Sequence, residues 1–169
     1  KTEVAEAVCR EVGRWLRELE AESDKTVDLI RDYAKLAPEL LDSKTITTQA
    51  SLSQVRFEPL GVVLAVMPWN YPVWQIMRFA VPALCAGNAC LVKPAPSVAQ
   101  VTAKLMALVD EAMPLHASYI EHDLIETAIE HADAMAFTGS TDTGRYLASL
   151  AGKHIKKCVL ELGGSNAFI

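Results

Sequence analysis

The feature of this chain that most restricts its fold is a change of rhythm at Gly61. Downstream of it, short apolar runs of strand length alternate with longer runs of helical period. The strand candidates are Val62–Met67, Ala89–Val92, Ala117–Ile120, Ala134–Phe137 and Cys158–Leu162. Between them lie helix candidates over Val73–Cys85, Val98–Ala112, Leu124–His131 and Thr143–Ile155. Parallel neighbours need a crossover, and a helix of this length supplies it, so the alternation predicts an α/β fold built on a doubly wound, mainly parallel sheet. In such a sheet ligands gather beyond the carboxyl ends of the strands. The residues that follow strands therefore carry the functional argument.

Upstream, Val4, Val8, Val12, Trp15 or Leu16, and Leu19 recur at three- and four-residue steps with Glu and Arg between them, the pattern of an amphipathic helix. A second helical stretch, Val27–Leu36, is expected to stop at Pro38, which cannot continue the backbone ladder. Thr45–Phe57, rich in Thr, Ser and Gln, suits an exposed edge strand or a connector. This divides the chain into a helical amino-terminal lead-in with a connecting ribbon, 1–57, and a sheet domain, 58–169. Lys1 already stands inside a helical pattern and Asn166–Ile169 resembles a strand beginning, so both ends read as cuts in a longer chain.

Composition narrows the function. With 16 Lys and Arg against 21 Asp and Glu, the net charge of -5 argues against a non-specific nucleic-acid binder, which needs a dense basic face to displace counterions. No apolar run reaches the length of a membrane span; the best, Leu60–Met67, runs straight into a proline. Cys9, Cys85, Cys90 and Cys158 form no C-x-x-C pair and no metal spacing with His. Free thiols in a reducing compartment, hence a cytoplasmic protein, are the simplest reading.

Each strand end then offers a residue with two readings. Asn70, in the stiff turn Pro68-Trp69-Asn70-Tyr71-Pro72, is either a preplaced amide donor for a developing oxyanion or an Asn that satisfies turn backbone groups. Lys93 closes the second strand and either contacts a ribose or phosphate or is simply solvated. Gly139-Ser140-Thr141-Asp142-Thr143-Gly144 has the glycine spacing of a phosphate loop, but Arg145-Tyr146 stands where Lys and Ser or Thr are required, and no G-x-G-x-x-G follows any strand. What remains is a helix start able to bind an anion, or a plain cap. Glu161 lies among apolar residues in Val159-Leu160-Glu161-Leu162, surroundings that suit a general base or a structural ion pair. Arg78 is the only charge in its apolar helix, either a clamp for a ligand carboxylate or a partner for an internal acid.

Taken in order, Pro68-Trp69-Asn70-Tyr71-Pro72, Leu91-Val92-Lys93-Pro94, Phe137-Thr138-Gly139-Ser140-Thr141 and Leu160-Glu161-Leu162-Gly163-Gly164 resemble the aldehyde dehydrogenase superfamily. Within it, Met67–Asn70 followed by Val73-Trp74-Gln75-Ile76-Met77-Arg78, and Lys156–Ser165, look most like bacterial succinate-semialdehyde dehydrogenases. The resemblance implies oxidation of an aldehyde to an acid through a thiohemiacetal and a thioester, with hydride passing to NAD or NADP, in an enzyme that is a homo-oligomer. It makes 58–169 the NAD(P)-binding domain, Asn70 the oxyanion amide, and Glu161 the base that activates water or the thiol. Pro68 and Trp69 would line the cofactor cleft, Lys93 would hold the adenosine ribose, and Gly139, Ser140 and Leu162 would complete the cofactor site. Arg78 would take the distal carboxylate of the substrate.

Two departures from the family pattern matter. Pro96 stands where many NAD-preferring members carry a Glu for the ribose 2′-hydroxyl, which lifts the repulsion against a 2′-phosphate and leaves NADP admissible. The nucleophilic cysteine of the family lies beyond Leu-Glu-Leu-Gly-Gly, and none of the four cysteines here matches it. The 169 residues alone are therefore expected to turn over no aldehyde. A non-catalytic nucleotide-binding remnant and an aldehyde dehydrogenase of another substrate class are the competing readings. Met113–Glu126, which lacks the family's usual Gly-Val-Phe, reads as a variant third strand.

Overall fold

A computed structural model describes residues 2–164. The chain opens with α1 (Thr2–Val12) and α2 (Leu16–Leu40), where one helix through Leu19 was expected. Gly13 makes the break: at φ 76° it adopts the left-handed conformation that ends helices, and its N–H closes on the Cys9 carbonyl at 3.0 Å. Helix α2 then runs without interruption through the polar stretch before Val27. Ser23 and Thr26 donate their hydroxyls to the Leu19 and Glu22 carbonyls, so neither polar side chain competes for an alternative turn. Pro38 does not stop the helix; it falls in the last turn, where a missing N–H removes one bond of a ladder that is ending anyway. The Thr45–Phe57 segment forms a small exposed antiparallel pair, β1 (Lys44–Thr45) with β2 (Gln54–Val55).

The α/β part comprises β3 (Val62–Val66), α3 (Pro72–Cys85), β4 (Ala89–Lys93), α4 (Ala99–Met106), β5 (Leu115–Ala117), α5 (Ile125–His131), β6 (Ala134–Gly139), α6 (Thr141–Lys153) and β7 (Lys157–Leu162). Its five strands are all parallel, in the order β5-β4-β3-β6-β7. The order reverses between β3 and β6, the switch point at which such sheets open a crevice. Helices cover both faces, so the central strand is a continuous apolar run: Val63, Leu64 and Ala65 are all buried. One core joins the α1, α3 and α4 side to Ala65, Val92 and Cys90; the other joins α5 and α6 to Leu64, Met135 and Phe137. Val4, Ala5, Ala7 and Val8 of α1 lie in the first core, so the lead-in packs as part of the sheet's own hydrophobic layer.

Three boundaries differ from the sequence reading. The third strand is Leu115–Ala117 and not Ala117–Ile120: the Cys90 N–H bonds the Pro114 carbonyl, and the Ser118 N–H ends the ladder on Val92. Beyond it Tyr119 leaves the sheet and donates its hydroxyl to the Ala99 carbonyl. Helix α4 stops at Met106, where the Leu108 and Val109 N–H groups turn to carbonyls three residues back, and the Asp110 carboxylate then holds the following turn by accepting the Ala112 N–H. Helix α6 starts two residues earlier than expected, since Ser140 caps it by accepting the Thr143 N–H. At its far end Glu126 accepts hydrogen bonds from Lys153 and His154, which hold its carboxyl below the usual carboxylate value and tie α5 to α6.

Gly61 sets the register at which β3 begins. At φ 119° it occupies a region closed to other residues, and its neighbour Val62 donates its N–H to Asp133 Oδ2 at 2.8 Å. Buried Asn88 completes the junction, accepting from Leu60 and Gly61 and donating to the Ala83 carbonyl.

Candidate active site

The predicted site residues converge on the carboxyl edge of the sheet. Asn70 follows β3 in the turn before α3. Its Oδ1 accepts the Tyr71 N–H at 3.1 Å, which leaves the NH2 group to donate outward, with no acceptor for it among the described residues. Pro68 is half-buried beside it and Trp69 is 57% exposed. Lys93 closes β4 opposite Val66, and its carbonyl receives the Met67 N–H at 3.0 Å, which joins the two strand ends. Its ammonium has no ion-pair partner among the described residues.

On the other side of the switch point, β6 ends at Gly139 and passes directly through Ser140 into α6. Ser140 serves as the cap, and the helix's first turn presents backbone N–H groups at the same edge. Gly139 and Gly144 let this turn sit close to the sheet. A Cβ on Gly139 would come within 2.5 Å of the Phe137 ring, and one on Gly144 would meet the Leu162 side chain. Leu162 itself is the last residue of β7, paired in register with Gly139.

Glu161 departs from expectation. Its surroundings are not apolar: the side chain is 56% exposed and Oε1 lies 2.8 Å from Arg78 Nη2. Strand alternation explains this, because Leu160 and Leu162 point to the α6 side while Glu161 faces α3 over an incompletely covered part of the sheet. The two readings of Arg78, clamp and internal partner, thus meet in one place. The pair borders a groove of about 290 Å³ whose walls include Met67, Phe79, Thr138 and Val159. The ion pair places one cationic and one anionic group on the wall of a largely apolar groove, within reach of a ligand with an apolar body and a polar end.

The four thiols stand elsewhere. Cys9 is exposed on α1 and Cys85 ends α3, at the opposite edge of the sheet. Cys90 is buried in β4, where burial pushes its thiol up to about 11, and Cys158 lies near the start of β7.

Sequence reasoning missed the supports behind the turn. Glu22 of α2 is buried and accepts the Trp74 N–H, and Glu11 of α1 accepts the N–H groups of Gln100 and Val101 at the start of α4. The available signal was Glu22's position on the buried stripe of α2 between Leu19 and Thr26, where a carboxylate needs a partner.

A five-stranded parallel sheet with its candidate ligand groups at the switch point places the protein among the open-sheet α/β proteins. The profile of the aldehyde dehydrogenase family matches residues 1–169, and the chain belongs to that family. It is 38% identical over 173 residues to a succinate-semialdehyde dehydrogenase [NADP(+)] of Deinococcus radiodurans, covering 99% of this chain and 36% of that protein. A probable succinate-semialdehyde dehydrogenase [NADP(+)] of Synechocystis is 40% identical, over all of this chain and 38% of the relative. The crystal structure of succinic semialdehyde dehydrogenase from Streptococcus pyogenes, in complex with NADP+, superposes with a TM-score of 0.90 at 34% identity, over 99% of this chain and 38% of that one. The chain thus spans somewhat over a third of the length of these relatives. Among the described residues no helix is long and apolar enough to cross a membrane.

Proposed function

We propose that this chain supplies the cofactor-binding part of a cytoplasmic, homo-oligomeric aldehyde dehydrogenase that oxidises succinic semialdehyde to the acid through a thiohemiacetal and a thioester. In this reading 1–57 is the lead-in and ribbon and 58–169 the NAD(P)-binding domain. The observation that carries it is the Arg78–Glu161 pair at 2.8 Å beside the groove: one group able to hold a distal carboxylate, one able to take a proton, on the same wall.

The donor set also fits a dinucleotide. Lys93 has no competing acid among the described residues, the first turn of α6 offers N–H groups for a diphosphate while Ser140, bonded to Thr143, holds that turn in place, and Trp69 and Pro68 give an apolar wall. Pro96 places no carboxylate against a 2′-phosphate, which accords with the NADP(+) in the names of the relatives. When bound, NADP or NAD supplies the hydride acceptor. The residues of this chain bind, orient and move protons: Asn70 donates to the oxygen that gains charge, Arg78 orients the substrate, and Glu161 takes a proton.

Arg78 meets Glu161 through Nη2, so its other N–H groups can take a substrate carboxylate that competes with Glu161 for the same positive charge. With its charge shared in this way, the guanidinium holds the Glu161 carboxylate less strongly and leaves it the better proton acceptor. In the complete enzyme, succinic semialdehyde is expected to be preferred over butanal, and Arg78→Ala should reduce that preference on the order of 100-fold, the effect of a partly exposed charge-assisted contact. Unchanged discrimination in Arg78→Ala would make Arg78 structural and the substrate class wrong. The 169 residues alone, with no thiol at the site edge, should form no reduced cofactor from the same aldehyde.

A further inference from the structure

Helix α3 begins at Pro72 with no side-chain cap from Tyr71, so its first-turn N–H groups need an acceptor from elsewhere. It comes from 52 residues away in the sequence: Glu22 Oε1 accepts the Trp74 N–H at 2.9 Å. The Glu22 side chain is only 4% exposed, and its second oxygen, Oε2, receives a hydrogen bond from Arg14. The guanidinium of Arg14 in turn lies over the Tyr71 ring, 3.9 Å from its centroid, and the Tyr71 N–H is the one that fixes Asn70 Oδ1. Both oxygens of one buried carboxylate therefore lead to the same turn, one through the helix start and one through the aromatic residue beside Asn70.

We propose that Glu22 is the positioning residue of the Asn70 turn: by holding Trp74 directly and Tyr71 through Arg14, it sets the direction in which the Asn70 amide donates. The inference rests on the reading of Asn70 as the oxyanion donor. A carboxylate serving only the stability of the lead-in would need one cationic partner and would have no reason to converge on this loop. Glu11 is the internal comparison, since its carboxylate accepts the Gln100 and Val101 N–H groups at 2.9 Å each and bonds nothing in the Asn70 turn among the described residues.

The test is amide exchange and side-chain NH2 resonances by NMR on the full chain. Glu22→Ala should speed exchange at Trp74 by about tenfold or more, the loss of a charge-assisted bond, and shift the Asn70 NH2 signals while Gln100 and Val101 stay protected. Glu11→Ala should do the reverse. Glu22→Gln, which keeps an acceptor oxygen, should restore Trp74 protection. Arg14→Leu should move the Asn70 signals and leave Trp74 protected, and these last two variants decide the matter if Glu22→Ala does not fold. Unchanged Trp74 and Asn70 signals, or equal acceleration at Trp74 and at Gln100 and Val101, would overturn the proposal. In the complete enzyme Glu22→Ala should lower kcat with KM unchanged, and Glu22→Gln should recover it. A displaced turn with kcat intact would instead refute the role given to Asn70, so the two failures are distinguishable.

Discussion

Asn70→Ala is expected to lower kcat for aldehyde oxidation by about 100- to 1000-fold in the complete enzyme, with little change in KM, because an oxyanion donor acts on charge that appears only as the reaction proceeds. The expectation follows from the geometry of the turn. The Asn70 carbonyl oxygen is committed to the Tyr71 N–H, so the amide is held and its NH2 faces outward. Asn70→Asp is the sharper comparison: it keeps the acceptor for Tyr71 and replaces the donor by a negative charge, so the turn survives and the rate falls at least as far. Steady-state kinetics on both variants, with melting temperatures alongside, check this. A rate within a few-fold of the parent in Asn70→Ala would remove Asn70 from the chemistry and leave it a turn residue.

Gly61→Val should have the largest effect on folding, a loss of about 3–5 kcal/mol, a large share of the total stability of a domain this size. Two costs combine. A φ of 119° is strained for any residue with a Cβ, most of all a β-branched one. The added Cβ would also fall 2.1 Å from Asp133 Oδ2, the acceptor of the Val62 N–H that starts β3. Since β3 is the central strand, misplacing its first bond disturbs both cores. Gly152→Ala provides the contrast, because nothing lies within 4 Å of its Cβ position and its φ is ordinary. Urea denaturation of the two variants measures the difference; near-equal midpoints would show that the Gly61 junction relaxes freely.

The sheet was legible in the sequence because short apolar runs, bounded by Gly, Pro and Asp, alternate with longer runs of helical period, and length arbitrates between strand and helix. Val62–Met67, Ala89–Val92 and Ala134–Phe137 all fall within one or two residues of observed strands. The third strand was misplaced since only Leu115 in it is buried, and three residues give no period to read. Helix ends were misread where one bond decides them, as at Gly13 and Ser140. In the candidate site, the residues that follow strands could be placed at one sheet edge from sequence order, as parallel topology dictates, while the roles given to them came from the family resemblance. Their supports were not, because Glu22 and Glu11 act across 52 and about 90 residues of sequence and only packing brings them to α3 and α4. Apolar neighbours in the sequence were likewise a poor guide to the environment of Glu161, whose strand neighbours point to the opposite face.

The most direct test of the claim that this chain is the dinucleotide-binding part of an aldehyde dehydrogenase is a calorimetric titration of the 169 residues with NADP+ and with NAD+, repeated on Lys93→Ala. Saturable binding of NADP+ that weakens about 10- to 100-fold in Lys93→Ala is the predicted result, the effect of removing one charged contact to the ribose or its phosphate. No saturable heat with either nucleotide, or the same affinity in Lys93→Ala, would contradict it.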